Sequence, residues 1–374
     1  KPRRLFELAV WIPPAKQPMI DAFFEAMSGL TTTGATVFYG LETLPKGLLL
    51  WRGILQWLGG IGIIVVAMVF LPELRVGGMQ IFKAEAFDTL GKILPKATTI
   101  AMQISVIYIA ITMLCVSAYF AVGMTPFDAV VHAMTTVATG GFSNYDASFG
   151  AFGIGAEYVC LTFMILSALP FVRYVQLING SFFAVFSDVQ VRTFIVLLFV
   201  LVFIAAAVVY KNFDYDGEVA FRKAFFNVTS IISGTGYSSA DYTQWGGFLV
   251  TMFFFIGLIG GCAGSTACSV KIFRYQLVYA SVSMQLRKIR SPNGVFIPRY
   301  DGRSIEDDVL SSVMSFFIFF MATLGIVAIL LGMSGLDLTT SLSASSAALA
   351  NIGPGLGDQI GPAGNYAGLN DFAK

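Results

Sequence analysis

Apolar stretches along this chain come in two lengths, and each short one is followed by a glycine turn. The long runs are Leu48–Leu71, Thr98–Val122, Ala156–Ile178, Thr193–Tyr210, Gly246–Gly261 continuing into a second piece, and Val309–Met333. At a helical rise of about 1.5 Å per residue, about 20 apolar residues cross the hydrocarbon layer, so these runs predict membrane helices. The short runs are Ile20–Leu30, Pro126–Val137, Arg222–Ile232 and Leu338–Ala350. They are too short to cross. They lead into Thr32-Thr33-Gly34-Ala35, Ala138-Thr139-Gly140-Gly141, Gly234-Thr235-Gly236-Tyr237 and Asn351-Ile352-Gly353-Pro354. Irregular backbone at membrane depth persists only inside protein or beside a water-filled path. The short runs therefore read as re-entrant half-helices that dip in, turn and climb out.

The order of span, half-helix, turn and span recurs roughly every 100 residues, too long for a solenoid repeat. It predicts an all-α membrane protein of four M1–P–M2 repeats (span, pore helix, span) around a single pore. The expected divisions are 1–75, 76–190, 191–305 and 306–374. Only Leu5–Ile12 precedes Pro13-Pro14, and no apolar run follows Gly353-Pro354-Gly355. The first span of repeat one and the last span of repeat four are thus expected beyond these residues.

Composition supports the membrane class. Hydrophobic residues are 56% and charged residues 12%, and mean hydropathy is +0.76, outside the range of ordinary soluble chains. A net charge of +1 gives no field that would attract nucleic acid. Lys and Arg gather between repeats, at Arg75, Lys83, Lys92 and Lys96, at Arg192, and from Lys271 to Arg303. Acids such as Asp146, Asp214, Asp216, Asp241 and Asp337 flank the half-helices. The positive-inside rule then makes the inter-repeat loops cytoplasmic and opens the turns outward.

The chemistry resides in main-chain carbonyls. Gly34, Gly140, Gly236 and Gly353 are expected at equivalent positions, because glycine allows the positive φ that lets oxygens converge on an axis. The preceding Thr33, Thr139, Thr235 and Ile352 are β-branched and favour extended backbone. Together with Thr32, Ala138, Gly234 and Asn351 they form a candidate filter, in which carbonyl rings replace the hydration shell of a potassium ion. Half-helix C-termini add partial negative charge there. The interiors of the long spans read as lacking Asp and Glu, which argues against a proton-coupled carrier.

A second signal is Gly260-Gly261-Cys262-Ala263-Gly264-Ser265-Thr266-Ala267, which interrupts the outgoing span of repeat three. Each glycine costs a helix about 1 kcal/mol relative to alanine. The stretch is expected to be a flexible loop beneath the filter, a gate; a small-residue helix contact is the alternative. Cys115, Cys160, Cys262 and Cys268 form no metal motif and read as buried small residues. His132, the only histidine, reads as a packing residue of the second half-helix. Leu58-Gly59-Gly60-Ile61-Gly62 reads as close packing against a half-helix, and Pro170 as a kink. The basic stretch Arg287–Arg303 reads equally as a solvated loop or as a lipid or partner contact.

Several pieces carry a family resemblance: Phe23-Phe24-Glu25-Ala26 through Thr31-Thr32-Thr33-Gly34-Ala35-Thr36, Trp57-Leu58-Gly59-Gly60-Ile61-Gly62-Ile63 and Val76-Gly77-Gly78-Met79-Gln80. His132-Ala133-Met134-Thr135-Thr136, Thr139-Gly140-Gly141-Phe142-Ser143 and Gly260-Gly261-Cys262 through Thr266-Ala267 add to them. The chain resembles the Trk/Ktr/HKT superfamily, specifically its bacterial Trk type, over nearly its whole length. The resemblance implies potassium uptake through a bacterial inner-membrane homodimer of channel-like subunits, not an enzyme. It implies K+ held by backbone carbonyls without an organic cofactor, a gate around Gly264, and a cytosolic ring of nucleotide-binding RCK domains. A serine in place of the first filter glycine is the family's route to sodium; here that residue is Gly34. The family's usual Gly-Gly after Thr266-Ala267 is replaced by Cys268-Ser269. A sodium-coupled secondary transporter with broken helices is the alternative. An intramembrane enzyme would need a polar catalytic set at depth, and none is legible.

Overall fold

The computed structural model describes residues 18–69, 97–181 and 183–374. The expectations for Leu5–Ile12, Val76–Gln80 and the basic positions Arg75, Lys83, Lys92 and Lys96 fall outside the described residues. The helices are α1 (Met19–Leu30), α2 (Lys46–Val69), α3 (Ala97–Ala121), α4 (Pro126–Val137), α5 (Ile154–Ser167) and α6 (Phe171–Ile178). They continue with α7 (Val189–Asn212), α8 (Gly217–Ile232), α9 (Gly247–Gly257), α10 (Ile272–Arg290), α11 (Asp307–Met333) and α12 (Leu338–Ala350). A single helical turn at Ala184–Ser187 links α6 to α7, and a two-residue hairpin pairs Arg299–Tyr300 with Arg303–Ser304.

Local sequence sets the helix starts. Pro126 occupies the first turn of α4, where no intrahelical N–H is needed, and the Thr125 side chain accepts from Asp128 N. Asp188 caps α7, accepting from Gln190 N and Val191 N. Asp337 caps α12 through Thr339 N and Thr340 N. Hydrogen bonds from Thr340 hold the Asp337 carboxyl below the usual carboxylate range despite some desolvation.

Among the described residues, α2 over Lys46–Ile64, α3 over Ala101–Ala121, α7 and α11 are long and apolar enough to cross a membrane. The expected single span Ala156–Ile178 is instead two helices, α5 and α6, bent by 88°. The break falls at Ala168–Pro170, where proline lacks an N–H and pushes its predecessor out of helical backbone. Glu157, in the first turn of α5, is buried. This corrects the expectation that the long runs carry no acid. The third half-helix starts at Gly217 rather than Arg222, extended by a turn that places Glu218 one helical turn before Arg222, 2.8 Å away.

Each half-helix packs on a long neighbour. On α7, Phe194, Leu198, Val202, Ala205 and Val209 recur every three or four residues and meet Ala220, Ala224, Val228 and Ile231 of α8. Gly59 lies so close to α1 that a Cβ would strike Leu30 O, and one at Gly60 would come within 2.9 Å of Ala138 Cα. The expected glycine packing of α2 is therefore real and touches two half-helices. The opposite faces stay apolar and exposed, as at Phe199 and Phe203 on α7 and Ile318 and Ile326 on α11. Apolar surface of this extent suits a lipid surround.

Candidate functional site

Each half-helix ends in the same backbone movement. Thr32, Thr139, Gly234 and Asn351 have φ of +63°, +50°, +73° and +59°. Two residues later Gly34, Gly141, Gly236 and Gly353 have φ of +84°, +78°, +82° and +97°. Between them, Thr33 N, Gly140 N, Thr235 N and Ile352 N each donate to the carbonyl five residues back, on Ser28, Thr135, Ser230 and Ala347. Turn two therefore runs one residue later than expected. Gly141, not Gly140, matches Gly34, while Gly140 matches Thr33 and Ala138 is the residue that ends α4. Ala138-Thr139-Gly140-Gly141 offers two adjacent glycines, and only the backbone decides which takes the positive φ.

The four turns meet in cyclic order. A Cβ on Gly34 would collide with the Gly140 carbonyl, one on Gly141 with that of Thr235, and one on Gly236 with that of Ile352. A Cβ on Gly353 would lie 2.8 Å from Thr33 O, which closes the circuit. A cavity of about 180 Å3 touches Gly34, Gly141, Gly236 and Gly353 together. The segments leaving the turns form a second circuit. Gly40 N and Leu41 N donate to Asp146 at 2.7 and 3.1 Å, and Phe149 N donates to Ser238 O at 2.9 Å. Ser238 Oγ donates to Pro362 O at 3.1 Å, and Tyr366 N to Thr36 O at 2.9 Å.

Buried polar side chains brace the first three turns from behind. Seven residues before the first positive-φ position stand Glu25, His132 and Asn227. Glu25 accepts from Val37 N and Thr36 Oγ1. His132 meets Ser143 Oγ at 3.1 Å, and Asn227 accepts from Ser239 N at 3.2 Å. His132 is thus one of three brackets, as a packing reading implied. Arg52 pairs with Glu25 at 2.8 Å, donates to Ser143 O at 3.0 Å and lies 4.1 Å from the centre of the Phe142 ring. Glu157 receives both Arg222 (2.5 Å) and Lys223 (2.6 Å). Lys374 reaches Asp21 at 2.6 Å.

Gly260–Ala267 forms a buried irregular loop rather than a helix contact. It docks into the break between α5 and α6, which leaves carbonyls free. Cys262 N donates to Ala168 O at 3.0 Å, Thr266 Oγ1 to Ser167 O at 3.0 Å, and Phe171 N to Gly264 O at 2.9 Å. Ala263 N donates to Gln190 Oε1 at 2.9 Å and Ser265 Oγ to Cys262 O at 2.6 Å. The glycines permit close approach: a Cβ on Gly260 would strike Cys268 O, and one on Gly261 would come 2.6 Å from Ala267 Cβ. The loop then runs against the turns. Cys268 Sγ accepts from Asn351 Nδ2 at 2.9 Å, and Ser269 N donates to Ala350 O at 2.8 Å. Asn351 in turn donates to Thr31 O at 2.7 Å and accepts from Thr33 Oγ1. Ser269 holds φ +62° where the resemblance would place a glycine. Its hydroxyl lies within reach of two carbonyls, Gly257 O at 2.8 Å and Ala350 O at 3.0 Å, and its one hydrogen serves either.

Sequence reading missed Arg52 and Gln56. Both are polar residues in an apolar helix, four apart and so on one face. Gln56 Nε2 donates to Gly140 O at 2.6 Å and its Oε1 accepts from Phe142 N at 3.0 Å. That spacing was a usable signal.

Composition and fold define a multi-pass, mostly helical membrane protein in which four glycine turns meet. Residues 5–374 match the family described as TrkH, cation transport protein, and the chain belongs to that family. It is 44% identical over 358 residues to the Trk system potassium uptake protein TrkI of Halomonas elongata, covering 95% of this chain and 73% of the relative. It is 36% identical over 368 residues to TrkH of Vibrio parahaemolyticus, covering 95% and 74%. The fold matches the crystal structure of the potassium transporter TrkH from Vibrio parahaemolyticus with a TM-score of 0.85 and 33% identity, over 96% of this chain and 74% of that one. These relatives are named as transporters rather than enzymes.

Proposed function

We propose that this chain is the potassium-translocating subunit of a Trk-type uptake system in a bacterial inner membrane. Potassium crosses by a channel-like path and sheds its water at carbonyl rings of the four turns. The turns are Thr32-Thr33-Gly34, Thr139-Gly140-Gly141 with Ala138 one step below, Gly234-Thr235-Gly236 and Asn351-Ile352-Gly353. The cyclic meeting of these turns, each glycine against the next turn's carbonyl, is the observation that carries the reading. The relatives named as potassium uptake proteins support the choice of ion. The ion is cargo held by backbone oxygens, with no organic cofactor. Segments 1–75, 76–190, 191–305 and 306–374 are the four M1–P–M2 repeats. The chain works as a homodimer under a cytosolic RCK-type ring, with the basic inter-repeat loops on the cytoplasmic side.

The test is cation flux into liposomes with potassium, rubidium, sodium and lithium. Potassium and rubidium are expected to pass far faster than sodium and lithium. Flux that needs a second coupled ion would replace the reading with a secondary transporter. In this reading the Gly260–Ala267 loop is the gate, supported by its seat beneath the turns and its bonds to Ser167 and Ala168. Thr266→Val keeps the shape and removes the hydroxyl bond to Ser167 O. Resting flux should rise about fivefold, the worth of one hydrogen bond, with the ion ratio unchanged. An unchanged resting flux would count against the loop as gate.

A further inference from the structure

We infer that Gln56 is a specificity-determining positioning residue that holds one filter oxygen at potassium distance; this rests on the filter reading above. Gln56 sits on α2 with no solvent exposure. Its carboxamide spans turn two, donating from Nε2 to Gly140 O at 2.6 Å and accepting at Oε1 from Phe142 N at 3.0 Å. The opposite orientation would set oxygen against oxygen and N–H against N–H, so both contacts fix the amide one way round.

At this carbonyl level turn two is alone among the described residues, although one residue further on Gly353 O of turn four accepts from the Tyr366 hydroxyl at 2.8 Å. Among the described residues, the matching carbonyls of Thr33, Thr235 and Ile352 accept no hydrogen bond. Gly140 does not take the positive φ, and its reason to be glycine is steric: a Cβ there would collide with the Gln56 amide. The stem of Gln56 is firmly seated. Arg52, one helical turn earlier, is tied to Glu25 and Ser143 O, and Gly60, one turn later, presses α2 onto Ala138. From its other side the Gly140 oxygen is flanked by Gly34.

A carbonyl oxygen has two lone pairs. One is engaged by Gln56, which leaves the other for the ion and ties the oxygen to a rigid helix. An ion smaller than potassium would need that oxygen to move inward and stretch the bond. Three oxygens free to adjust and one restrained make a filter that resists closing around sodium.

The experiment compares Gln56→Met, which keeps length and volume, with Gln56→Glu, which keeps the acceptor for Phe142 N but loses the donor. Both are reconstituted in liposomes beside Gly34→Ser. The sodium-to-potassium flux ratio should rise about threefold to tenfold in both Gln56 variants, the size of one lost hydrogen bond. The rubidium-to-potassium ratio should stay near its starting value. Should Gln56→Met fail to fold, Gln56→Glu, with the turn still held at Phe142, gives the reading. A purely structural role would lower all fluxes in proportion and leave the ratios fixed, which overturns the inference. If Gly34→Ser shifts the ratio and the Gln56 variants do not, the inference fails and the filter stands. If none of them shifts it, the filter reading falls as well.

Discussion

Gly34→Ser should lower the potassium-to-sodium flux ratio of the reconstituted protein by roughly tenfold. Two features set the size. Gly34 holds φ +84°, where a side chain is strained, and a Cβ there would run into the Gly140 carbonyl. Strain of this kind costs about 1–3 kcal/mol, and about 1.4 kcal/mol is a factor of ten. Relief must shift either the turn at Gly34 or the Gly140 oxygen that Gln56 holds, and both belong to the candidate filter, so the loss falls on ion discrimination. Gly34→Ala separates displacement from a new ligand: it has the same clash and no hydroxyl. If alanine matches serine, displacement explains the loss. If only serine admits sodium, its hydroxyl is a ligand. A serine variant with an unaltered ratio would remove Gly34 from the path.

The second large effect concerns stability. Arg52 and Glu25 are 3% and 5% exposed at their side chains and 2.8 Å apart. Together they join α1, α2 and the segments leaving turns one and two. Arg52→Met leaves Glu25 charged, buried and without its partner, which costs about 3–5 kcal/mol. Thermal unfolding in detergent should show a fall of several degrees. The double variant Arg52→Met with Glu25→Gln should recover part of it, because no lone charge is left inside. A single variant that melts like the parent would mean that water already reaches the pair. The Glu157 cluster with Arg222 and Lys223 is a counterpart between α5 and α8.

The relation between Gly34, Gly140 and Gln56 links these effects. One oxygen is approached by an α-carbon that lacks a side chain and gripped by an amide from a neighbouring helix. Selectivity on this reading depends on how freely each of four oxygens can move, and one of the four is made less free than the rest. Four turns of one polypeptide need not be equal, because each can have its own supporting side chains. Asn351 at turn four, bonded to Thr31, Thr33 and Cys268, is another such departure.

The sequence by itself determined the class of the protein and most of its parts. Run length separates spans from half-helices because the bilayer imposes a minimum length. The bounds of α4 and α12 were legible because Pro126, Asp337 and the glycine turns are local signals. Where Gly260–Ala267 breaks the helix was legible for the same reason. Tertiary structure alone decided the rest. It chose Gly141 over Gly140 as the partner of Gly34, since neighbouring glycines are equivalent until packing selects a φ. It split Ala156–Ile178 by 88°, because a proline permits a kink but the docked loop occupies the gap it opens. It buried Glu157 beside Arg222 and Lys223 and set Gln56 against turn two, since charge and amide groups find distant partners only when the chain has closed. The meeting of four turns a hundred residues apart is the same kind of fact: hydropathy is local, and the circuit is made by contacts between remote segments.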